Sequence, residues 1–538
     1  KPVVGILQSR VAAADCGTLR KMNYRRWIAA LMIGGAWQTC QAAHYKLFVL
    51  SGQSNSLGNT GGGEAAPSPG SDPADSQIRF YWHNRVDATT SLGDSGGVFT
   101  SLQSQQGGYY SGNATHWGPE IAFGRTLYRA GVRDFGIIKA SRGGGGNTYW
   151  SKSAGGHMYS HVVSTGNAAT ATLTANGDTF EIAGFLYVQG ESDSSAEAAE
   201  AGTRFKTLVD NLRADLPNAS SMHAVIGGIA AAGATRDIVR TNQTSIADST
   251  AYIDSFSNMG LQPKLYDSLH FNKAAKITVG ERFAQSFFSA GIVSRHYGKL
   301  TFIGDSITQG GNGDHPGYRY TVFKHLANKG VPINAAAGYK FTGSVTGPSP
   351  VSSLTTPDVN GQVFENVHDG HFGWRAFWMN RRVALPDNRR DANRGEGTLF
   401  NWTGQASPQE YSLNSLANKV AYPDPGASGT GNTGTTYVPD TVSIMAGIND
   451  LGDNNNSANQ VVADLGTMID QLRAANPSVR IHLNRLLHTN QTLAMKSAVD
   501  AVNGQLDALA AAKNAASSSS PVWVVDADTG FDPVAMTY

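Results

Sequence analysis

The chain has 538 residues, 40% of them apolar and 15% charged, with 42 Lys and Arg against 41 Asp and Glu. That length exceeds one ordinary domain, and the apolar share is enough to build buried cores, which excludes disorder as the main state. The near-zero net charge offers no basic field for nucleic acid, and 2 cysteines exclude both a disulfide framework and a cysteine-ligated zinc site.

The chain opens on Lys1, and Met22 is a better start. Arg25 and Arg26 precede an apolar run over 27–37 (WIAALMIGGAW), and the small residues Ala42 and Ala43 follow. Basic, apolar and small-residue regions in that order predict a secretory leader over 22–43, with 1–21 as upstream translation. A buried helix is the competing reading. The run is too short to span a bilayer. Cys16 and Cys40 both lie in this part, so the exported remainder is free of thiols, as suits an oxidising compartment. The expectation is a secreted or periplasmic protein with no membrane attachment after cleavage.

The rest reads as one plan written twice. A short apolar strand runs into a Gly-flanked Ser at 45–55 (YKLFVLSGQSN) and again at 299–310 (KLTFIGDSITQG). Two starts so far apart predict two domains, over 44–290 and 299–538, joined by a linker at 291–298. In the first, near-continuous apolar runs at 135–140, 183–188, 223–228 and 251–255 predict parallel strands covered on both faces. Apolar spacing predicts helices over 198–216 and 274–288. In the second, strands are predicted at 299–303, 441–446, 479–484 and 522–527, and helices at 458–473 and 492–512. The Gly/Thr/Ser-rich part of 384–439 reads as a surface loop. Alternating strands and helices predict an α/β fold with a parallel sheet in each half.

Chemistry gathers after the first-half strands, where open α/β sheets bind ligands. Ser54 lies in Gly52-Gln53-Ser54-Asn55. Near the end of the same half, Asp267 precedes His270 by three residues, a spacing that lets the carboxylate hold one ring nitrogen and leaves the other for a Ser proton. The glycines of 143–146 let N–H groups approach a developing oxyanion. A phosphate cradle would want a following Lys-Ser/Thr pair, which is absent. Gln189 could donate to the same oxyanion and Glu191 could orient neighbours, or either could cap the next helix.

GQSN, the Gly-rich loop ending in Asn147, QGESD and Asp267-x-x-His270, in this order, resemble the sialate O-acetylesterase-like (SASA) family. That family includes the carbohydrate esterase family six acetylxylan esterases and belongs to the SGNH hydrolase superfamily. The resemblance, over about 45–290, implies a flavodoxin-like three-layer α/β/α sandwich. It implies Ser54 as nucleophile, His270 as base and Asp267 as its orienter. The Ser54 and Gly144 N–H groups and the Gln189 side chain would be the oxyanion donors. The 116–120 stretch (HWGPE) also resembles the family.

In the second half, GDSITQG, a loop glycine and GIND resemble carbohydrate esterase family three of the same superfamily. This implies Ser306 as nucleophile, with the Ser306 and Gly373 N–H groups and the Asn449 side chain as oxyanion donors. Asp305 and Asp450 are expected to hold loops. His368 and His371 have no third ligand beside them that would make a metal site. The family's Asp-x-x-His is expected just beyond the last strand, about where the sequence stops, so this domain is expected to be truncated at its C-terminus. The whole is expected to be a secreted carbohydrate O-acetylesterase, with acetylated polysaccharide such as acetylxylan as substrate and no cofactor. Sialate O-deacetylation, or a second domain acting only as a carbohydrate-binding module, are the alternatives.

Overall fold

The computed structural model describes residues 42–58, 72–107, 115–310, 317–334, 338–343, 345–346, 356–370, 375–379, 431–432, 438–454, 456–488, 492–517 and 519–529. The chain divides into two compact units. One holds the chain up to Phe287 apart from 67–78 and 124–133; the other holds those two segments with Phe288 onward. The leader expected over 22–43 lies outside the described residues, apart from its last two positions.

The first unit carries strands β1 (His44–Gly52), β2 (Arg79–Arg85), β3 (Ser91–Asp94), β4 (Thr100–Ser101), β5 (Gln105–Gln106), β6 (Thr115–His116), β7 (Phe135–Ser141), β8 (Thr179–Val188), β9 (His223–Gly227) and β10 (Ile253–Phe256). Its main sheet runs β10-β9-β8-β1-β7-β2-β3, with β4 beside β2. All neighbours from β10 to β2 are parallel, and β3 and β4 are antiparallel additions at one edge. The chain leaves β1 toward β2 and β7, then returns to its other side with β8. The end of β1 is therefore the switch point of the sheet.

Both faces are covered because β1 alternates its partners. Leu47 and Val49 join a core with Val162 and Leu173 of the helix His157–Asn176, and with Phe205 and Leu208 of the helix Ala201–Asp215. Phe48 points the other way, its ring 5.2 Å from Phe123 and 5.1 Å from Phe287. Those rings belong to the helices Glu120–Arg129 and Lys273–Ser289. The result is three layers, helix on sheet on helix.

The single helix read over 198–216 is two, Ser195–Ala199 and Ala201–Asp215. Ser194 and Glu197 close a capping box that starts the first one early. Glu200 then leaves helical geometry, at φ −107 and ψ 5. Three further helices, Glu120–Arg129, His157–Asn176 and Ala234–Asp248, were not read from the sequence. In His157–Asn176 the core face includes small residues, and a Cβ on Gly166 would lie 2.7 Å from Leu216 Cδ2. The helix Ala234–Asp248 fully buries only Val239 and Gln243, with Ile246 and Ala247 partly buried against the core, so a polar residue interrupts its inward spacing.

The second unit carries β11 (Gly298–Gly304), β12 (Tyr339–Thr342), β13 (Val345–Thr346), β14 (Val367–Gly370), β15 (Gly431–Asn432), β16 (Thr441–Met445), β17 (Arg480–Asn484) and β18 (Val522–Val525). The order is β15-β13-β14-β11-β16-β17-β18, with β12 beside β11. The pairs from β14 to β18 are parallel, and β13 pairs antiparallel with both β14 and β15. Here too the central strand alternates. Ile303 packs with Val461 and Leu472 of the helix Ala458–Ala475 and with Val499 and Leu506 of the helix Leu493–Ala516. Leu300 and Phe302 pack with Phe323 and Leu326 of the helix Tyr318–Asn328. Within the stretch read as a loop, Gly431–Asn432 forms β15 instead, and its other residues before 438 lie outside the described ones. Among the described residues no helix is long and apolar enough to cross a membrane.

Candidate active site

Ser54 stands where β1 ends, and backbone constraints fix its turn. Gly52 has φ +137, and a Cβ there would lie 2.0 Å from Val188 O on the neighbouring strand. Only glycine lets β1 and β8 stay that close at a positive φ. Gln53 N–H donates to Val188 O at 2.9 Å, and one helical turn, Ser54–Leu57, follows and ends on left-handed Gly58. Ser54 is 3% exposed at the start of that turn.

His270 and Asp267 meet it from the opposite end of the unit. Ser54 Oγ lies 3.0 Å from His270 Nε2, and His270 Nδ1 lies 2.6 Å from Asp267 Oδ2. Asp267 Oδ1 accepts the N–H groups of Leu269 and His270, at 3.0 and 2.7 Å. Burial works to raise the Asp267 pKa, but the ring and backbone donors of His270 and the N–H of Leu269 hold it below the usual carboxylate range. An ionised Asp267 fixes the proton on Nδ1 and so presents Nε2 as the acceptor for the Ser54 hydroxyl.

The loop after β7 supplies open donors. Among the described residues, none takes the N–H of Gly143, Gly144, Gly145 or Gly146, or that of Ser54. Gly144 has φ +64 with open space where a Cβ would stand, whereas a Cβ on Gly145 would meet the Tyr149 ring at 2.1 Å. Gln189 sits differently from its expected role. Its amide nitrogen donates to Asp193 Oδ1 and to Gly145 O, and its Oε1 accepts from Tyr187. Asp193 in turn accepts from the backbone and side chain of Asn147, each at 2.9 Å. Gln189 therefore braces the glycine loop instead of presenting a free amide. Burial pushes the Asp193 carboxyl up to about 6. Glu191 is buried against Asn55, and Ser194 caps the next helix, so neither Gln189 nor Glu191 does.

A buried cluster that the sequence reading missed lies under the Ser54 turn. Lys139, fully buried in β7, reaches Glu120 Oε2 at 2.9 Å and donates to Leu57 O and Gln105 Oε1, each at 2.8 Å. Glu120 also accepts the N–H of Gly118 at 2.8 Å. A lysine inside the apolar run 135–140 was the available signal, because an unpaired buried charge is costly.

In the second unit Asp305, preceding Ser306, has φ −91 and ψ −152, the same values as Gln53. Asp305 accepts the N–H of Ile307 at 3.0 Å, and Asp450 accepts that of Ala376 at 2.8 Å. Burial, with Asp450 nearby, pushes Asp305 up to about 7. Asn449 lies in the first turn of the helix Ile448–Asn454, two residues after Gly447 at φ +125. Gln189 lies one residue before Gly190 at φ +134, so Gln189 and Asn449 do not occupy matching places. Gly373 and His371 lie outside the described residues. His368 is buried, its Nδ1 accepting Gly370 N–H at 2.9 Å.

Among the described residues no histidine hydrogen-bonds Ser306. An unforeseen pair, His488 and Asp528, repeats the bonding of His270 and Asp267. Asp528 Oδ1 accepts His488 N–H at 2.8 Å and Oδ2 lies 2.6 Å from Nδ1. Here Nε2 meets Asp500 Oδ1 at 2.9 Å.

Residues 44–289 match the family model described as carbohydrate esterase, sialic acid-specific acetylesterase. Residues 300–535 match the model described as GDSL-like lipase/acylhydrolase. Three solved structures illustrate what the chain is similar to. A protein from Arabidopsis thaliana shares 22% identity, over 46% of this chain and 99% of its own, at a TM-score of 0.36. A carbohydrate esterase family 3 protein from Talaromyces cellulolyticus shares 22%, over 43% and 82%, at 0.28. A carbohydrate acetylesterase from Xanthomonas citri shares 15%, over 46% and 56%, at 0.34. No curated protein matches the chain. The two family matches make both halves SGNH-type domains of the esterase class.

Proposed function

We propose that this chain, an SGNH-type esterase by both of its halves, removes acetyl groups from a carbohydrate, and that the first unit does so through Ser54. The observation that carries the reading is the continuous contact from Ser54 Oγ to His270 Nε2, 3.0 Å, and from His270 Nδ1 to Asp267 Oδ2, 2.6 Å. Nε2 takes the hydroxyl proton as Oγ attacks the acetyl carbonyl carbon. The negative oxygen that forms meets N–H donors of Ser54 and the 143–146 loop, which act without reorganising. His270 returns the proton to the sugar oxygen as the C–O bond breaks, leaving an acetyl-enzyme. Water, deprotonated by the same nitrogen, then releases acetate and restores Ser54.

Acetylated polysaccharide, such as acetylxylan, is the proposed substrate, met outside the cell after export. A sialate O-acetyl ester is the second reading, favoured by the match of residues 44–289 to a family of sialic acid-specific acetylesterases. Acetate release from acetylated xylan and from an O-acetylated sialate decides between them. Turnover of the first alone supports the polysaccharide, and turnover of the second alone replaces it. Turnover of neither, with a folded protein, overturns the acetylesterase reading.

A further inference from the structure

The Asp267–His270 pair is well oriented within itself but stands on a half-exposed loop. The Asp267 side chain is 40% exposed, and Ser268 between the two has φ +66. A local pairing of two residues on one loop fixes the ring's tautomer. It does not fix how far the ring stands from Ser54, which belongs to a strand end 216 residues earlier.

The residue after Ser54 does this. Asn55 Oδ1 accepts Phe271 N–H at 2.9 Å, and Asn55 Nδ2 donates to Leu269 O at 3.1 Å. The two bonds grip the backbone on either side of His270. The second amide hydrogen goes to Glu191 Oε1 at 2.6 Å. Glu191 Oε1 accepts there as a carboxylate oxygen or as the carbonyl oxygen of a carboxyl, which selects the amide orientation that turns Oδ1 toward Phe271. Asn55, Glu191 and Phe271 are 3%, 5% and 0% exposed, so the bonds to Phe271 and Glu191 are shielded from water, while the bond to Leu269 O is part-buried.

The second unit shows that the turn itself does not require this arrangement. Counted from Ser306 and from Gly447, the matching positions are Ile307 and Ile448, which join one apolar cluster. The residue before the serine nonetheless keeps φ −91 and ψ −152 in both units. A buried amide and carboxyl are therefore additions to the first unit, placed where they hold the histidine loop.

We infer that Asn55 and Glu191 are positioning residues that clamp the His270 loop at hydrogen-bonding distance from Ser54. The inference rests on the reading of Ser54 and His270 as the reacting pair. Burial pushes the Glu191 carboxyl up to about 7, and Asn55 is the side-chain donor that opposes this.

The test uses the full chain with an aryl acetate, and proton NMR of the His270 Nδ1–H shared with Asp267. Asn55→Ala and Glu191→Ala should lower kcat by about a hundredfold, the scale of a small misplacement of a catalytic group, with KM little changed. The Nδ1–H signal should broaden or move in both. Glu191→Gln keeps an acceptor for Asn55 and should retain rate and signal. Because a buried amide left unpaired can unfold the unit, the pair Asn55→Ile with Glu191→Ile is the second variant. It copies the apolar pair of the other unit and should fold, with low kcat. Parent-like kcat and signal in these variants, beside an inactive Ser54→Ala, would overturn the clamp. So would a changed signal with unchanged kcat. An active Ser54→Ala would instead sink the functional reading, and the Nδ1–H signal alone would then decide the clamp.

Discussion

Ser54 and His270 act on one proton, so removing either should remove nearly the same activity. Ser54→Ala and His270→Ala should each lower kcat for acetate release by at least about 10³-fold, with circular dichroism unchanged. A variant that retains more than a tenth of the parent rate would contradict the role of that residue. Glu191 makes a prediction in stability. Its folded pKa, pushed up to about 7 by burial, lies above the ordinary 4.5 of a glutamate. Below 4.5 both states carry the proton and the group is neutral to stability. As pH rises toward 7 the unfolded chain ionises freely while the folded one resists, so stability falls across that window and is level above it. Glu191→Gln removes this loss, and its melting temperature should gain on the parent between pH 5 and pH 8. An equal difference at both pH values would refute the raised pKa.

At the scale of elements, the Ser54 turn is held from below as well as from the side. Lys139 ties Leu57 O to Glu120 across the interior, and both side chains are fully buried. Lys139→Ala leaves Glu120 without its cation and should cost about 3–5 kcal/mol in urea unfolding. A loss below about 1 kcal/mol would show that the pair is not a structural anchor. The helix Ser195–Ala199 depends on its capping box. Ser194→Ala should cost about 1 kcal/mol by the same measurement. Because Glu197 of that box also accepts from Thr148 beside the glycine loop, the cap contributes to the order of the donors. Strand spans were legible because β1, β7, β8 and β9 are nearly unbroken apolar runs, which two covered faces demand. Helices such as Ala234–Asp248 were not, because polar Gln243 stands between Val239 and Ile246 on its core-facing side.

For the whole molecule, duplication of one plan does not mean duplication of one site. Both units place a serine after their central strand with the same preceding dihedrals. In the first unit that serine meets a histidine already held by an aspartate. The second brings Asp305 and Asp450 to the N–H groups of Ile307 and Ala376, each in a short helical turn, and sets His488 between Asp528 and Asp500. Acetate release by the full chain should therefore fall with Ser54→Ala and persist in Ser306→Ala. Loss in Ser306→Ala alone would transfer the chemistry to the second unit.

The sequence by itself determined the two-part α/β organisation, the Ser54 and Ser306 strand ends and the Asp267-His270 spacing, because apolar runs, glycine turns and a three-residue separation are local properties. Only the tertiary structure decided which groups those residues meet. Asn55 grips a loop 216 residues away, Lys139 reaches Leu57 and Glu120, and Gln189 turns to Asp193 and Gly145. A polar side chain's partner is set by which strand ends lie together after folding, and burial then makes that partner obligatory.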